Sequence, residues 1–253
     1  MIYIIEDAYA GFLTAVFESF ERKHFDVKIR TKEEVQISFF EEVFDIQTDS
    51  EKAKRVLKGL KSKVGDQTAQ SFYRAFLSED HDARDAAFYI IQKIFTDQPK
   101  ILSNFGDDRV ILFDKTLTKI RREAHRMKAF IRFQKSSDGQ YYAIIDPDFN
   151  VLPLIVSFFK KRYADQSWLI YDVKRNYGVF FDQSNLIEVQ LSTIQKDSMI
   201  QQSSSITLDE KEEHFQNLWK QYFKSTNIEA RKNMKLHLQH VPRRYWKYLV
   251  EKQ

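Results

Sequence analysis

Apolar residues recur along the chain mainly at helical spacing, with shorter runs that read as strands. Residues 1–5 form one such run. Asp7 can then cap a helix over about 8–23, with Phe12, Leu13, Val16, Phe17 and Phe20 on one face. Residues 25–47 are ambiguous, since Val27–Ile29 and Val35–Phe40 fit either strand or short helix. Thr48 and Glu51 have the spacing of a capping box. The helix they would open carries Ala53, Val56, Leu57, Leu60 and Val64 on one side and stops at Gly65. Two more helices are predicted near 67–78 and 82–96. Residues 97–109, with Pro99, Gly106 and an Asp pair, read as a loop and as the internal boundary.

A long helical repeat follows through Phe113, Leu117, Ile120, Ala124, Met127 and Ile131, and Phe130–Gln134 is a candidate switch to strand. A turn at Ser136–Gly139 leads into the strand Tyr141–Ile145, which Asp146-Pro147-Asp148 breaks. A helix is predicted over about 151–163, then strands at Trp168–Asp172, Val179–Phe181 and Leu186–Leu191 whose close spacing favours antiparallel pairing. Residues 192–206 read as an exposed loop, 208–224 as a helix, and 228–251 as largely helical with a break at Pro242. The fold class expected is therefore α+β, an antiparallel sheet flanked by helices with a helix-rich N-terminal part. The parts are a mostly helical 1–110 and an α+β 111–253, or one continuous domain 1–253.

Composition changes this picture by exclusion. The 253 residues include 22 Phe and 12 Tyr, enough for a substantial core, and only 6 Gly and 4 Pro. No cysteine is present, which removes disulfides, thiolate metal sites, iron–sulfur ligation and cysteine nucleophiles together. Glu6 and Asp7 directly follow Met1–Ile5, with no basic stretch and no small-residue cleavage site, so no secretory leader is expected. No apolar run has the length of a membrane span, and a cytoplasmic location without a membrane partner is the expectation. Phosphate-binding glycine loops and nucleophile-elbow patterns are missing, and no cofactor is expected.

Charge adds a direction. The net charge is only +4, but residues 114–135 carry eight Lys/Arg against two acids and residues 227–253 carry seven against two. Those stretches hold +6 and +5, so the remainder of the chain holds −7. Such asymmetry points to an anionic partner. In the first stretch, Arg122, His125 and Arg126 lie one turn apart, with Arg121 a turn before His125 and Lys128 and Arg132 following. Guanidinium groups bind phosphate in a bidentate fork. A solvated face paired with acids elsewhere in the chain is the competing reading. In the second stretch, Arg231, Lys232, Arg243, Arg244 and Tyr245 mix cations with rings, a combination suited to phosphates and unpaired bases. Trp246 and Tyr245 could equally anchor a C-terminal helix in the core.

Catalytic candidates are sparser. His125, set among arginines, is the one general acid/base candidate, and Glu123 does not share its face. Asp146 and Asp148 could ligate a divalent metal, but no third acidic ligand is evident and a capping turn is favoured. His237 and His240 lack a zinc pattern.

Five segments together carry a resemblance: Tyr9–Glu18, Arg122–Phe133, Asp146–Leu154, Trp168–Arg175 and Pro242–Lys247. In that order, across essentially the whole chain, they resemble a family of DNA repair or DNA metabolism proteins that accompany a radical SAM protein. In some relatives a similar domain is fused to a uracil-DNA glycosylase-like domain. The resemblance implies a DNA-metabolism role beside a radical SAM enzyme and no particular activity. Phe149 stands where a polar residue or His is expected, and Val241 where Met is usual, the first of which weakens a catalytic role for the Asp-Pro-Asp loop. Lacking cysteine, the chain cannot bind the radical SAM cluster itself. The leading expectation is an accessory protein that binds DNA through the residues named above. The alternatives are an enzyme acting on a DNA base or backbone with His125 as acid/base, and a protein–protein adaptor without nucleic-acid contact.

Overall fold

The computed structural model describes residues 1–34, 41–96, 98, 100–136, 139–190, 218, 221, 238, 241–249 and 252. The chain divides into two compact units, Met1–Arg121 and Arg122–Gln253. Among the described residues, no helix is long and apolar enough to cross a membrane.

In the first unit, β1 (Ile2–Ile5) lies between β2 (Lys28–Thr31) and β3 (Val43–Ile46), and both pairings are parallel. Three of the four β1 side chains are buried, as a central parallel strand covered on both faces requires. The sheet packs with α1 (Tyr9–Glu21), α2 (Ser50–Val64), α3 (Asp66–Phe76) and α4 (His81–Phe95). Phe12, Leu60, Phe72 and Phe88, each almost fully buried, sit in one continuous apolar core with Tyr3, Ile5 and Ile29.

Two caps differ from expectation. Ala8 rather than Asp7 occupies the N-cap of α1, without a side-chain bond. Asp49, not Thr48, caps α2, accepting from the amides of Glu51 and Lys52, because Thr48 is drawn away to donate to Glu6 at 2.5 Å. Gly65 does end α2, with φ of 81°. The ambiguous stretch 25–47 supplies β2 and β3, while 35–40 lies outside the described residues. Within 97–109 the chain makes a 3₁₀ turn at Ile101–Ser103, and α5 (Asp108–Phe130) already starts at Asp108.

In the second unit a five-stranded sheet has the order β4 (Gln134–Lys135), β5 (Tyr141–Ile145), β6 (Trp168–Asp172), β7 (Tyr177–Phe181), β8 (Leu186–Val189). The β4–β5, β6–β7 and β7–β8 pairs are antiparallel, as short connections favour. β5 and β6 are parallel, joined by the crossover helix α6 (Leu152–Arg162). The expectation of an antiparallel sheet is thereby corrected twice: the first unit's sheet is wholly parallel and the second unit's is mixed. Leu152, Ile155, Val156 and Phe159 of α6 are buried, and Phe159, Trp168 and Phe181 form a connected aromatic core. The helices expected over 208–224 and in the tail fall largely outside the described residues, as do Arg231, Lys232, His237 and His240. Pro242 is followed by a 3₁₀ segment, Arg243–Tyr248.

Candidate functional site

At the C-terminal ends of the parallel pair β5 and β6, two loops meet. One is Asp146–Asn150, which leaves β5 for α6. The other is the hairpin turn between β6 and β7. Asp172, fully buried at the end of β6, accepts from the amides of Lys174 and Arg175 and from the Arg175 guanidinium at 2.8 Å. Burial raises the Asp172 pKa, and the Arg175 charge opposes that rise. From this fixed turn Arg175 donates to the carbonyls of Pro147 and Asp148, and Lys174 donates to the Asp148 carbonyl at 3.1 Å. Tyr177 donates to Asn150. The loop backbone is thus held from the hairpin side by several independent bonds.

It is held from the other side by Glu123 on α5. This side chain is 2% exposed, and its carboxylate accepts from the Asp148 amide at 3.0 Å, the Tyr245 hydroxyl at 2.5 Å and Arg244 Nη2 at 2.7 Å. Arg244 bridges further, its Nη1 pairing with the Asp148 carboxylate and its Nη2 donating to the Tyr245 hydroxyl. Lys247 Nζ lies 2.9 Å from the Asp146 carboxylate. Burial, then the bond to Glu123, pushes the Tyr245 phenol well above the ordinary tyrosine range. The hydrogen bond with Tyr248, then Asp146, raises the Lys247 pKa.

The result is a cleft of about 510 Å³ lined by Asp146, Pro147, Asp148, Lys174, Arg243, Arg244 and Lys247. Four cations face two carboxylates, and each carboxylate already has a cationic partner. Arg243 is exposed and has no ion-pair partner among the described residues. Clefts at the carboxyl ends of parallel strands are where open α/β sheets bind ligands.

The sequence-predicted residues are redistributed by this geometry. Arg122 and His125 are exposed on α5, and Glu123 links that helix to the Arg243–Tyr248 segment. Arg121, also exposed, ends the first unit. Arg126 is partly buried. Lys128 Nζ lies 5.5 Å from the centre of the Phe158 ring. Arg132 closes the end of α5 by donating to the Ala129 carbonyl at 2.8 Å. Tyr245, expected as a stacking ring, is 1% exposed and packs on Phe130, so it is an anchor. Arg244, expected on phosphate, is spent largely on Glu123 and Asp148.

A metal at Asp146 and Asp148 is disfavoured, because the cations already paired with both carboxylates would repel it. His125 is not among the residues lining the cleft, so the convergence that an acid/base enzyme needs is not found there. Sequence reasoning missed Glu123, Lys174 and Arg175. Glu123 was detectable in principle, since it lies three residues after Ile120 and four before Met127, inside the apolar stripe where a carboxylate needs a partner.

Comparison with known families adds one match. Residues 81–251, more than half the chain, match the domain of unknown function DUF4130. The chain belongs to that family. The DUF4130 match begins at the first residue of α4 and takes in the whole β5–α6–β6 unit, its two loops and the Arg243–Tyr248 segment. No curated protein matches the chain.

Proposed function

We propose that this DUF4130 protein binds nucleic acid, DNA in the first instance, through the cationic surface around the Asp146–Asn150 loop. The observation that carries the reading is the charge arrangement at the cleft: Lys174, Arg243, Arg244 and Lys247 stand against Asp146, Asp148 and the buried Glu123 that Arg244 also serves, so one positive charge is left over and Arg243 is exposed with no ion-pair partner among the described residues. Arg122, exposed on α5 and next in sequence to Glu123, is included in the proposed surface as a further phosphate contact. A phosphate backbone meets this requirement, since it brings regularly spaced negative charge and displaces its own counterions on binding. Arg244 and Tyr245 act in this account as positioning residues that hold Arg243 and the loop. The resemblance in the Arg122–Phe133 and Pro242–Lys247 segments adds a role in DNA metabolism alongside a radical SAM protein. Electrophoretic mobility of labelled DNA tests the reading: the wild-type protein retards it, and Arg243→Ala retards it less at equal concentration. Equal retardation by the two proteins would remove the cleft from the binding surface.

A further inference from the structure

The opposite, N-terminal ends of β5 and β6 border a second groove, of about 540 Å³, within the usual size range of small-molecule sites. Trp168, 1% exposed, belongs to its lining. Around it stand the partly buried rings of Phe133, Tyr141 and Tyr163, the amide of Gln166, and the guanidinium groups of Arg132 and Arg162.

Phe133, Tyr163 and Trp168 hold one another, and Tyr163 also lies parallel to Phe159 at 6.2 Å between centres. Phe133 meets Tyr163 edge-on at 5.3 Å between centres and tilts against Trp168 at 6.1 Å. A planar ligand entering here therefore loses little by ordering them. Arg132 is partly committed to the end of α5, which leaves Arg162, exposed in the last turn of α6 beside Lys161, as the main cation at the rim. Aromatic faces beside a guanidinium and an amide suit a group that is flat, able to hydrogen-bond at its edge, and attached to an anion.

We infer that this groove takes one unpaired nucleotide of a single strand, its base stacked against the rim rings and its phosphate at Arg162. The choice of a strand rests on the nucleic-acid reading above; the groove itself is separate from the cleft that carries that reading.

The test uses the full chain and two fluorescent probes at low salt, a twelve-nucleotide oligothymidylate and an abasic strand with the same number of phosphates. One stacked base predicts that wild-type protein binds the base-bearing strand at least about fivefold more tightly. Tyr163→Leu brings that ratio close to one. Arg162→Ala, a change at an exposed position, weakens both probes. Arg243→Ala, in the other cleft, weakens both equally and preserves the ratio. Equal binding of the two probes by wild-type protein, or no effect of Arg162→Ala, overturns the groove and leaves the phosphate reading standing. A preserved ratio with no loss of affinity in Arg243→Ala overturns the cleft and leaves the groove. Failure of both probes to bind overturns both.

Discussion

Tyr245→Phe removes one oxygen from the centre of the arrangement that shapes the cleft. That hydroxyl donates to the Glu123 carboxylate at 2.5 Å and accepts from Arg244, and Tyr245 and Glu123 are 1% and 2% exposed. Water cannot readily replace the lost group. A hydrogen bond to a charged partner contributes about 1.5–3 kcal/mol. Glu123 keeps Arg244 and the Asp148 amide, so it is not orphaned, and the Phe130 contact at 5.5 Å between ring centres survives. A loss of about 2 kcal/mol is therefore expected. Trp168, Trp219 and Trp246 all fall in the second unit, so tryptophan emission during urea unfolding reads this unit. With a urea dependence of about 2 kcal/mol per molar, the midpoint should fall by about 1 M. In a Glu123→Gln background the same substitution should cost less, because the accepting charge is gone. A midpoint shift below about 0.3 M would refute the claim that the hydroxyl is bound to a buried carboxylate.

Gly178 faces the centre of β6, and a Cβ there would stand 2.8 Å from both the Ile170 carbonyl oxygen and a Tyr171 ring carbon; Gly178→Ala should cost about 1–3 kcal/mol by the same emission assay. Arg244→Lys keeps the charge, but one ammonium cannot span Glu123 and Asp148 as the fork does. Its midpoint should fall by less than that of Tyr245→Phe, since the Arg244 side chain is 39% exposed. In the first unit, burial pushes Glu34 up, but hydrogen bonds from Arg84 and the Thr31 amide outweigh it and hold its pKa below the ordinary range. A depressed folded pKa means stability present above the unfolded value of about 4.3 and lost as pH falls through the folded one. Urea unfolding followed by circular dichroism from about pH 5 to pH 3 should therefore show a shallower acid-side loss in Glu34→Gln than in wild type.

Much of the fold is legible where local pattern decides it. The helices of 50–64 and 108–130 follow directly from apolar residues at helical spacing. The parallel β5–β6 pairing is missed although the helix predicted over about 151–163 separates the two strands, because the antiparallel expectation carries over from the closely spaced strands that follow β6. The length of α6 is in the pattern; its burial against the sheet and the parallel register come from tertiary packing. The candidate site divides in the same way. Its cationic character could be read from Arg243 and Arg244, whereas which of the two is left without an ion pair among the described residues could not. Arg244 and Asp148 are 96 positions apart in the chain, and their pairing depends on Glu123 being buried between them. The Asp-Pro-Asp segment reads as a capping turn or a metal ligand set; it is an irregular loop, α6 is capped at Val151 without a side-chain bond, and the two carboxylates pair with Lys247 and Arg244.

The central claim is that excess cations at the cleft meet a phosphate backbone, and the salt dependence of DNA affinity tests it most directly. Fluorescence anisotropy should give a linear fall of log affinity with log salt for the wild-type protein, and a slope shallower by about two phosphate contacts in Arg122→Ala/Arg243→Ala. Affinity that is insensitive to salt, or a slope the double variant leaves unchanged, would contradict it.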